Sequence, residues 1–545
     1  MPGIIESLNE LQHDKGYLRD DDLRALAERL NVPLYRLEGV VSFYPHFRRT
    51  PPPRVEVALC RDVSCRLAGS AGWCGRAREA LAARPGVEVR EVSCLGRCDM
   101  APAAAVNEHP VPAQDLAALL ARVDDPPDPH AEQVSPAAPR RWPSDPYEAD
   151  ADRYGVLARF LSGPGGADGE ALIQMLKESG LRGMGGAGFP TWMKWDLVSK
   201  QPGPVKYVIC NADESEPTTF KDRVILDELP HLVLEGMILA GLVVGAEEGI
   251  VFIRHEYAAE RTAIRRAIED ARRRGVLGPD VLGSGRRFDV RVFVSPGGYI
   301  LGDETALLQC LEDERGEPRN KPPFPGEKGL WGRPTLLNNV ETLSLVPAIL
   351  ARGSEAWRAL GVRGCAGLKF ISLSGDVVRP GVYQVPMGTT IGELVERAGG
   401  VRGSRRVLAI APGGASSNFL GGDAMDAPLD FKALAERGSM LGSGAVLIVA
   451  EGADLVDLTA NLVAFFRNES CGKCVPCRVG SEKAVAILDR AVQRRGSKRQ
   501  LALLPDLDEA MQQTSICGLG QVALRPFLSV LDAFGDEVRA RFTEE

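Results

Sequence analysis

The placement of cysteines constrains this chain more than any other feature. Cys471-Gly-Lys-Cys474-Val-Pro-Cys477 sets three thiols at C-x₂-C-x₂-C, and Cys517 follows much further along. Three thiols at that spacing can wrap one face of a cubane iron–sulfur cluster, with a fourth supplied from elsewhere. Four thiolates also suit tetrahedral zinc, but zinc sites usually come as two close pairs, and this three-plus-one spacing fits them badly. A second set, Cys60-x₄-Cys65 and Cys94-x₃-Cys98, forms two pairs, each at the end of a strand-like run. Two pairs can hold one iron each, as a [2Fe–2S] centre requires. Zinc and a redox disulfide remain alternatives there, although C-x₄-C lacks the thioredoxin C-x-x-C spacing. Cys74, Cys210, Cys310 and Cys365 stand alone and read as packing residues. Twelve cysteines in 545 residues are too few for a disulfide scaffold.

At ~100–200 residues per domain, this length implies several domains. The net charge of −8 argues against a nucleic-acid partner, which needs a basic surface. The most apolar stretch, residues 231–253, is interrupted by Glu235, Glu247 and Glu248, so it is too short between charges to span a bilayer. The N-terminus carries early Glu and Asp and no long apolar run, so a signal peptide is not expected and a cytoplasmic location is.

Residues 124–152 hold seven prolines and few aliphatics, and read as a stiff, extended linker. Before them, helix, strand, helix, strand suggests a small α/β unit over residues 1–123, with its cysteines on strand-end loops. After them, residues 153–350 mix strands and long helices, residues 351–452 are strand-rich with Gly/Pro turns, and residues 453–545 carry helical periodicity.

Two loops in the second unit point to a ligand. Gly180-Leu-Arg-Gly183-Met-Gly185-Gly186-Ala-Gly188-Phe189 contains the letters G-x-G-x-x-G, but residues 171–178 before it read as a helix, where a Rossmann fingerprint needs a strand. Dense glycine still lets backbone N–H groups approach an anion or a planar ring, and Lys194 follows at a spacing suited to a phosphate. An apolar strand ending at Cys210 then runs into Asn211-Ala-Asp213-Glu214-Ser-Glu216. Carboxylates after a strand end can hydrogen-bond a ribose, a ribityl chain or a carboxamide; on spacing alone a solvated turn fits as well. Gly297-Gly298-Tyr299-Ile-Leu-Gly302-Asp303-Glu304 and Lys321-Pro-Pro-Phe324 are further segments of interest.

Taken together, GLRGMGGAGFPTWMKW, CNADESEPTTFKDR, GGYILGDETAL, RGEPRNKPPFP, RPTLLNNVETL and SCGKCVPCR resemble the family of 51-kDa flavin subunits of respiratory complex I, from about residue 150 to 535. CRDVSC and CLGRCDMAP resemble the family of 24-kDa thioredoxin-like [2Fe–2S] subunits. A fusion of the two is similar to diaphorase subunits of soluble NAD-linked formate dehydrogenases, to which TSICGLGQVALRP around Cys517 is nearest; bidirectional [NiFe] hydrogenases share the architecture.

The resemblance implies a multidomain α/β chain: a thioredoxin-like [2Fe–2S] domain, an FMN- and NAD(H)-binding α/β domain, a β-grasp ubiquitin-like domain around residues 369–401, and a C-terminal helical bundle with [4Fe–4S]. It implies that Gly183, Gly185, Lys194, Asn211, Asp213, Tyr299, Gly302 and Asn338 contact FMN. Glu214, Glu216 and Glu304 would line the nicotinamide and ribose side, with Glu216 and Glu304 orienting the nicotinamide. Phe189 and Phe324 would flank the adenine, and Lys321 would face the NAD phosphates. Cys471, Cys474, Cys477 and Cys517 would hold [4Fe–4S], and Cys60, Cys65, Cys94 and Cys98 [2Fe–2S]. The implied activity is hydride exchange between NAD(H) and FMN and single-electron exchange with the clusters. The implied partner is a molybdenum- or tungsten-containing formate dehydrogenase subunit; the alternative is service as the NADH-oxidising subunit of complex I or of a hydrogenase. The chain departs from the family pattern at Met184 (usually Arg), Thr218 (usually Gly) and Asp303 (usually Glu).

Overall fold

Four parallel strands organise the centre of the protein, in the order Asp289–Ser295, Glu248–Arg254, Tyr207–Ala212, Thr335–Asn339. The computed structural model describes residues 3–112, 115–135, 140–163 and 168–544. Val208 to Cys210 and Ile250 to Ile253 are fully buried, as parallel strands covered on both faces require. Helix Pro230–Val244, apolar nearly all round, packs on helix Val340–Arg352 so closely that a Cβ at Gly236 would lie 2.1 Å from the Leu343 carbonyl oxygen. Glu248–Arg254 and Asp289–Ser295 run successively outward on one side of Tyr207–Ala212, and Thr335–Asn339 lies on the other. That reversal opens a crevice at the strands' C-terminal ends, between Asp213 and Asn339.

The N-terminal cysteines sit on a second sheet, ordered Val87–Val92, Val55–Cys60, Ala103–Val106, His109–Pro112, parallel and then antiparallel. The β-grasp sheet runs Gly381–Pro386, Leu368–Gly375, Ala445–Ala450, Val407–Ala411, Leu420–Gly421. Helices Leu455–Asn468, Val475–Val492, Leu504–Thr514 and Arg525–Ala533 form the C-terminal bundle, the apolar face of Leu455, Leu458, Leu462 and Phe466 being buried as its periodicity predicts. No helix among the described residues is long and apolar enough to cross a membrane.

Two segments make contacts that the sequence reading does not specify. The N-terminal helices, Ile4–Lys15, Asp20–Leu30 and Leu34–Phe43, do not join the core of the thioredoxin-like sheet. They pack on the central domain: Ile5 N–H donates to Asp313 Oδ1 (2.8 Å), Asn9 Nδ2 to the Val294 carbonyl (3.2 Å) and the Tyr44 hydroxyl to the Glu314 carbonyl (2.8 Å). Helical periodicity identifies an apolar face but not the surface that will cover it. The linker likewise is only partly extended and solvated; its residues 136–139 lie outside the described residues. Beyond them Trp142 is buried, packs in a tilted pair with Phe370 at 5.0 Å between ring centroids and donates to Glu228 (2.8 Å), while the Tyr147 hydroxyl donates to the buried Glu235 (2.7 Å). Ser144 N–H reaches Gln384 (2.9 Å), so this segment straps the central domain to the β-grasp domain. Two aromatics in a proline-rich stretch supply enough apolar area to anchor it.

Candidate functional site

The crevice between Asp213 and Asn339 is a cavity of about 870 Å³ of empty space, open to solvent. Its walls come from the acidic loop (Asn211, Asp213, Glu214, Glu216), the glycine loop (Gly185), the turn Tyr299–Gly302 with Asp303, and Cys517 with Leu519. The glycine loop follows helix Gly169–Ser179, as the sequence implies, and closes on itself through Gly183 N–H to the Phe189 carbonyl (2.8 Å). Gly185 is required at its crest, since a Cβ there would stand 3.0 Å from Asn339 Cβ.

Burial governs the carboxyls. It pushes Asp213 up to about 7, and the Ser215 hydroxyl donates to its Oδ2 (3.4 Å). Burial also pushes Glu214 up to about 7, while its oxygens accept the Asp222 and Arg223 N–H groups (2.9 and 3.1 Å) and the Tyr257 hydroxyl (3.0 Å). Glu216, raised by burial too, accepts the Ser416 N–H (2.9 Å) and hydroxyl (2.6 Å) from the β-grasp domain. A cavity with a glycine crest and buried carboxyls in its wall fits a planar ring bearing N–H groups.

Not every expected residue lines it. Lys194 and Glu304 pair with each other at 2.6 Å outside the lining. Asn338 is buried, accepting the Trp195 indole N–H (3.0 Å); its neighbour Asn339 faces the cavity. Phe189 and Phe324 are exposed, at 45% and 52%, and Lys321 lies 3.8 Å from Asp303. Lining residues absent from the sequence expectation include Lys221, Asp222, Asn339, Thr219 and Ser443. Lys221 and Asp222 directly follow the acidic loop in FKDR, and that adjacency was their one sequence signal.

The three departures have structural readings. Met184 turns into the core rather than the cavity, its N–H donating to Thr342 (2.9 Å). Asp303 caps helix Glu304–Leu311, accepting Thr305 N–H (2.8 Å) and Ala306 N–H (3.1 Å), a role that suits the shorter acid. Thr218 stands at φ +76°, a conformation that favours glycine.

Both cysteine sets converge. Cys471 follows helix Leu455–Asn468, Cys474 caps helix Val475–Val492, Cys477 sits in its first turn, and Cys517 caps helix Gly518–Val522. All four ring a cavity of about 270 Å³ that also meets Ile300 and Leu519. Among the described residues no three His, Cys, Asp or Glu side chains are grouped to hold a single metal ion. A cubane is held at its corners, so thiols spaced around a small cavity are what it needs. Ile300, Cys517 and Leu519 line both this cavity and the larger one, so the two share a wall.

Cys60, Cys65, Cys94 and Cys98 are all buried, with Cys94 and Cys98 sulfurs 3.4 Å apart. Hydrogen bonds from the Cys60 and Cys98 thiols, aided by the Arg254 guanidinium, hold Cys94 well below the usual thiol range, which favours the deprotonated form a metal needs. Arg254 joins the two sites, donating to the Cys94 carbonyl (2.9 Å) and the Glu214 carbonyl (2.6 Å). Arg223 with Asp99 (2.8 Å) and Arg97 with Glu260 (3.1 Å) complete the docking.

Comparison with known proteins identifies each region. The description "Nuo51 FMN-binding domain" matches residues 176–348, "NADH-ubiquinone oxidoreductase-F iron-sulfur binding region" residues 457–541, "Thioredoxin-like [2Fe-2S] ferredoxin" residues 2–123 and "SLBB domain" residues 370–416. Each thiol set therefore falls within an iron–sulfur domain, and the large cavity belongs to an FMN-binding domain. The F subunit of NADH-quinone oxidoreductase of Aquifex aeolicus is 42% identical over 73% of this chain and 91% of its own length. The HndC subunit of the NADP-reducing hydrogenase of Solidesulfovibrio fructosivorans is 38% identical over 69% of this chain and 76% of its own. A chain in the crystal structure of NAD⁺-reducing [NiFe]-hydrogenase in the H₂-reduced state superposes with a TM-score of 0.86 at 31% identity, covering 100% of this chain and 93% of that one. The chain belongs to the family of the NADH-quinone oxidoreductase F subunits, here with a thioredoxin-like [2Fe–2S] domain on the same polypeptide.

Proposed function

We propose that this chain is the NAD(H)-linked flavin subunit of a cytoplasmic redox assembly, joining a two-electron nicotinamide to one-electron clusters. The wall shared by the two cavities supports the reading: Ile300, Cys517 and Leu519 line both, so one thiol of the C-terminal set borders the flavin cavity. FMN, when bound, supplies the conversion between paired and single electrons. Gly185, Asn211, Asp213, Tyr299 and Gly302 would hold its ring and chain, while Glu214 and Glu216 would set the nicotinamide's side. Lys194 and Glu304, already paired, would bind nucleotide only by opening that pair. Phe189, Phe324 and Lys321, exposed beyond the cavity, suit the adenine and phosphates of NAD(H). We divide the chain at residues 123, 152, 350 and 452 on the same reading.

The partner we infer is a molybdenum- or tungsten-containing formate dehydrogenase subunit, on the resemblance around Cys517. A hydrogenase partner is the second reading, favoured by the likeness over the whole chain to the NAD⁺-reducing [NiFe]-hydrogenase chain. Purification of the native assembly with metal analysis separates them: molybdenum or tungsten supports the first, nickel the second, and neither metal with quinone-linked turnover overturns both. A chain reconstituted with iron, sulfide and FMN that cannot bleach a dye with NADH would overturn the flavin reading itself.

A further inference from the structure

Beneath the flavin cavity lies a buried chain of charges built from two domains. Lys221 and Asp222 reach the cavity wall, and Lys221 is the only Lys or Arg among the described residues lining it. Lys221 Nζ donates to Asp222 Oδ1 (2.6 Å) and pairs with Glu341 Oε2 (3.0 Å). Glu341, in the first turn of helix Val340–Arg352, does not touch the cavity. Its Oε2 is shared with Lys369 Nζ (2.5 Å), and its Oε1 accepts the Phe370 N–H (2.9 Å). Lys369 comes from strand Leu368–Gly375 of the β-grasp domain and also donates to the Ser443 carbonyl (3.0 Å). Lys221, Glu341 and Lys369 are all 0% exposed.

We propose that Lys369 is a positioning residue for the flavin cavity: by sharing Glu341 with Lys221, it sets how much positive field Lys221 presents to the bound ring. This rests on the flavin reading above. With both lysines charged, two ammoniums face Glu341, Asp222 and the Glu214 carboxyl, which burial raises to about 7. Without Lys369, the carboxylates outnumber the remaining ammonium, and the surplus negative charge lies next to the cavity. In a site shielded from water, one such charge is felt strongly at short range. Reduction of the ring adds negative charge there, so the surplus disfavours the reduced form. The β-grasp domain would then act on flavin redox chemistry from outside the cavity.

The test is the ratio of dissociation constants for oxidised and reduced FMN, measured on the whole cluster-loaded chain at pH 7. Lys369→Met is expected to weaken the preference for reduced FMN about tenfold, close to 30 mV for a two-electron couple. The double variant Lys369→Met with Glu341→Gln restores the net charge and is expected to return the ratio to the wild-type value. A structural role would instead leave the double variant at least as far from wild type as the single one. If Lys369→Met alone does not fold, the proposal still requires the double variant to fold with a wild-type ratio. An unmoved ratio in Lys369→Met, or a double variant that is unfolded or shifted, overturns the proposal while the flavin reading stands. A wild-type chain that binds no FMN overturns that reading and the proposal with it.

Discussion

Replacing Thr218 with glycine is expected to stabilise the protein. Thr218 is 1% exposed, stands at φ +76°, and its hydroxyl has no partner. A left-handed conformation costs an L-residue ~1–2 kcal/mol, with β-branched side chains at the unfavourable end. A buried, unsatisfied hydroxyl costs ~1–3 kcal/mol more. Against this, glycine gives up about 1 kcal/mol of methyl burial, and its freedom in the unfolded chain costs ~0.5–1 kcal/mol. The favourable terms exceed the unfavourable ones by about 2 kcal/mol. Thr218→Ala separates them, because it removes the hydroxyl and methyl but keeps the Cβ in the left-handed region. It should therefore gain about 1 kcal/mol from losing the unsatisfied hydroxyl, with Thr218→Gly above it. Urea unfolding of the cluster-loaded protein, followed by release of flavin fluorescence, measures the difference. The Thr218 backbone lies beside the Cys98 thiol, so an unchanged [2Fe–2S] absorption spectrum must accompany the gain. A glycine variant no more stable than the alanine variant would refute the strain argument.

Cys474→Ser is expected to keep NADH-driven flavin reduction while abolishing transfer to the partner; full partner-linked turnover would break the assigned relay. Glu216→Gln removes one charge from a carboxylate that Ser416 holds in place, and should change the NADH Michaelis constant several-fold; an unchanged constant would count against its assigned position. Asp213 binds its proton more tightly folded than unfolded, its value rising from 3.8 to about 7. Its contribution to stability is therefore complete below about pH 4 and is lost as pH rises through 7. The melting temperature of Asp213→Asn relative to wild type should consequently be higher at pH 8 than at pH 5, and a gap independent of pH would refute that titration.

The sequence exposed the chemistry more fully than the contacts. The four cysteines of the C-terminal set line one cavity, because C-x₂-C-x₂-C at a helix start leaves the thiols few places to point. The acidic loop was legible because it follows a strand whose apolar run is unbroken. Asn338 and Asn339 could not be told apart by motif. Neighbours along a strand face opposite ways, and only the packing of Trp195 against Asn338 reveals which one faces the cavity. The Lys369–Glu341 pair was invisible for a related reason. Charged residues are assumed to be solvated, and burial of both partners emerges only when two domains close on them. Trp142 and Tyr147 hid in a proline-rich composition that reads as linker.

The N-terminal helices and the segment from Arg140 to Tyr147 both grip the central domain, and the thioredoxin-like sheet lies between them in the chain. That sheet is thus moored fore and aft. Should its own docking contacts let go, it would remain at an effective concentration on the order of millimolar and rebind without meeting another molecule. Polar contacts such as Arg223 with Asp99 can then be individually weak. Two iron–sulfur centres on one polypeptide also remain in one-to-one ratio however dilute the protein becomes, which separate subunits cannot guarantee.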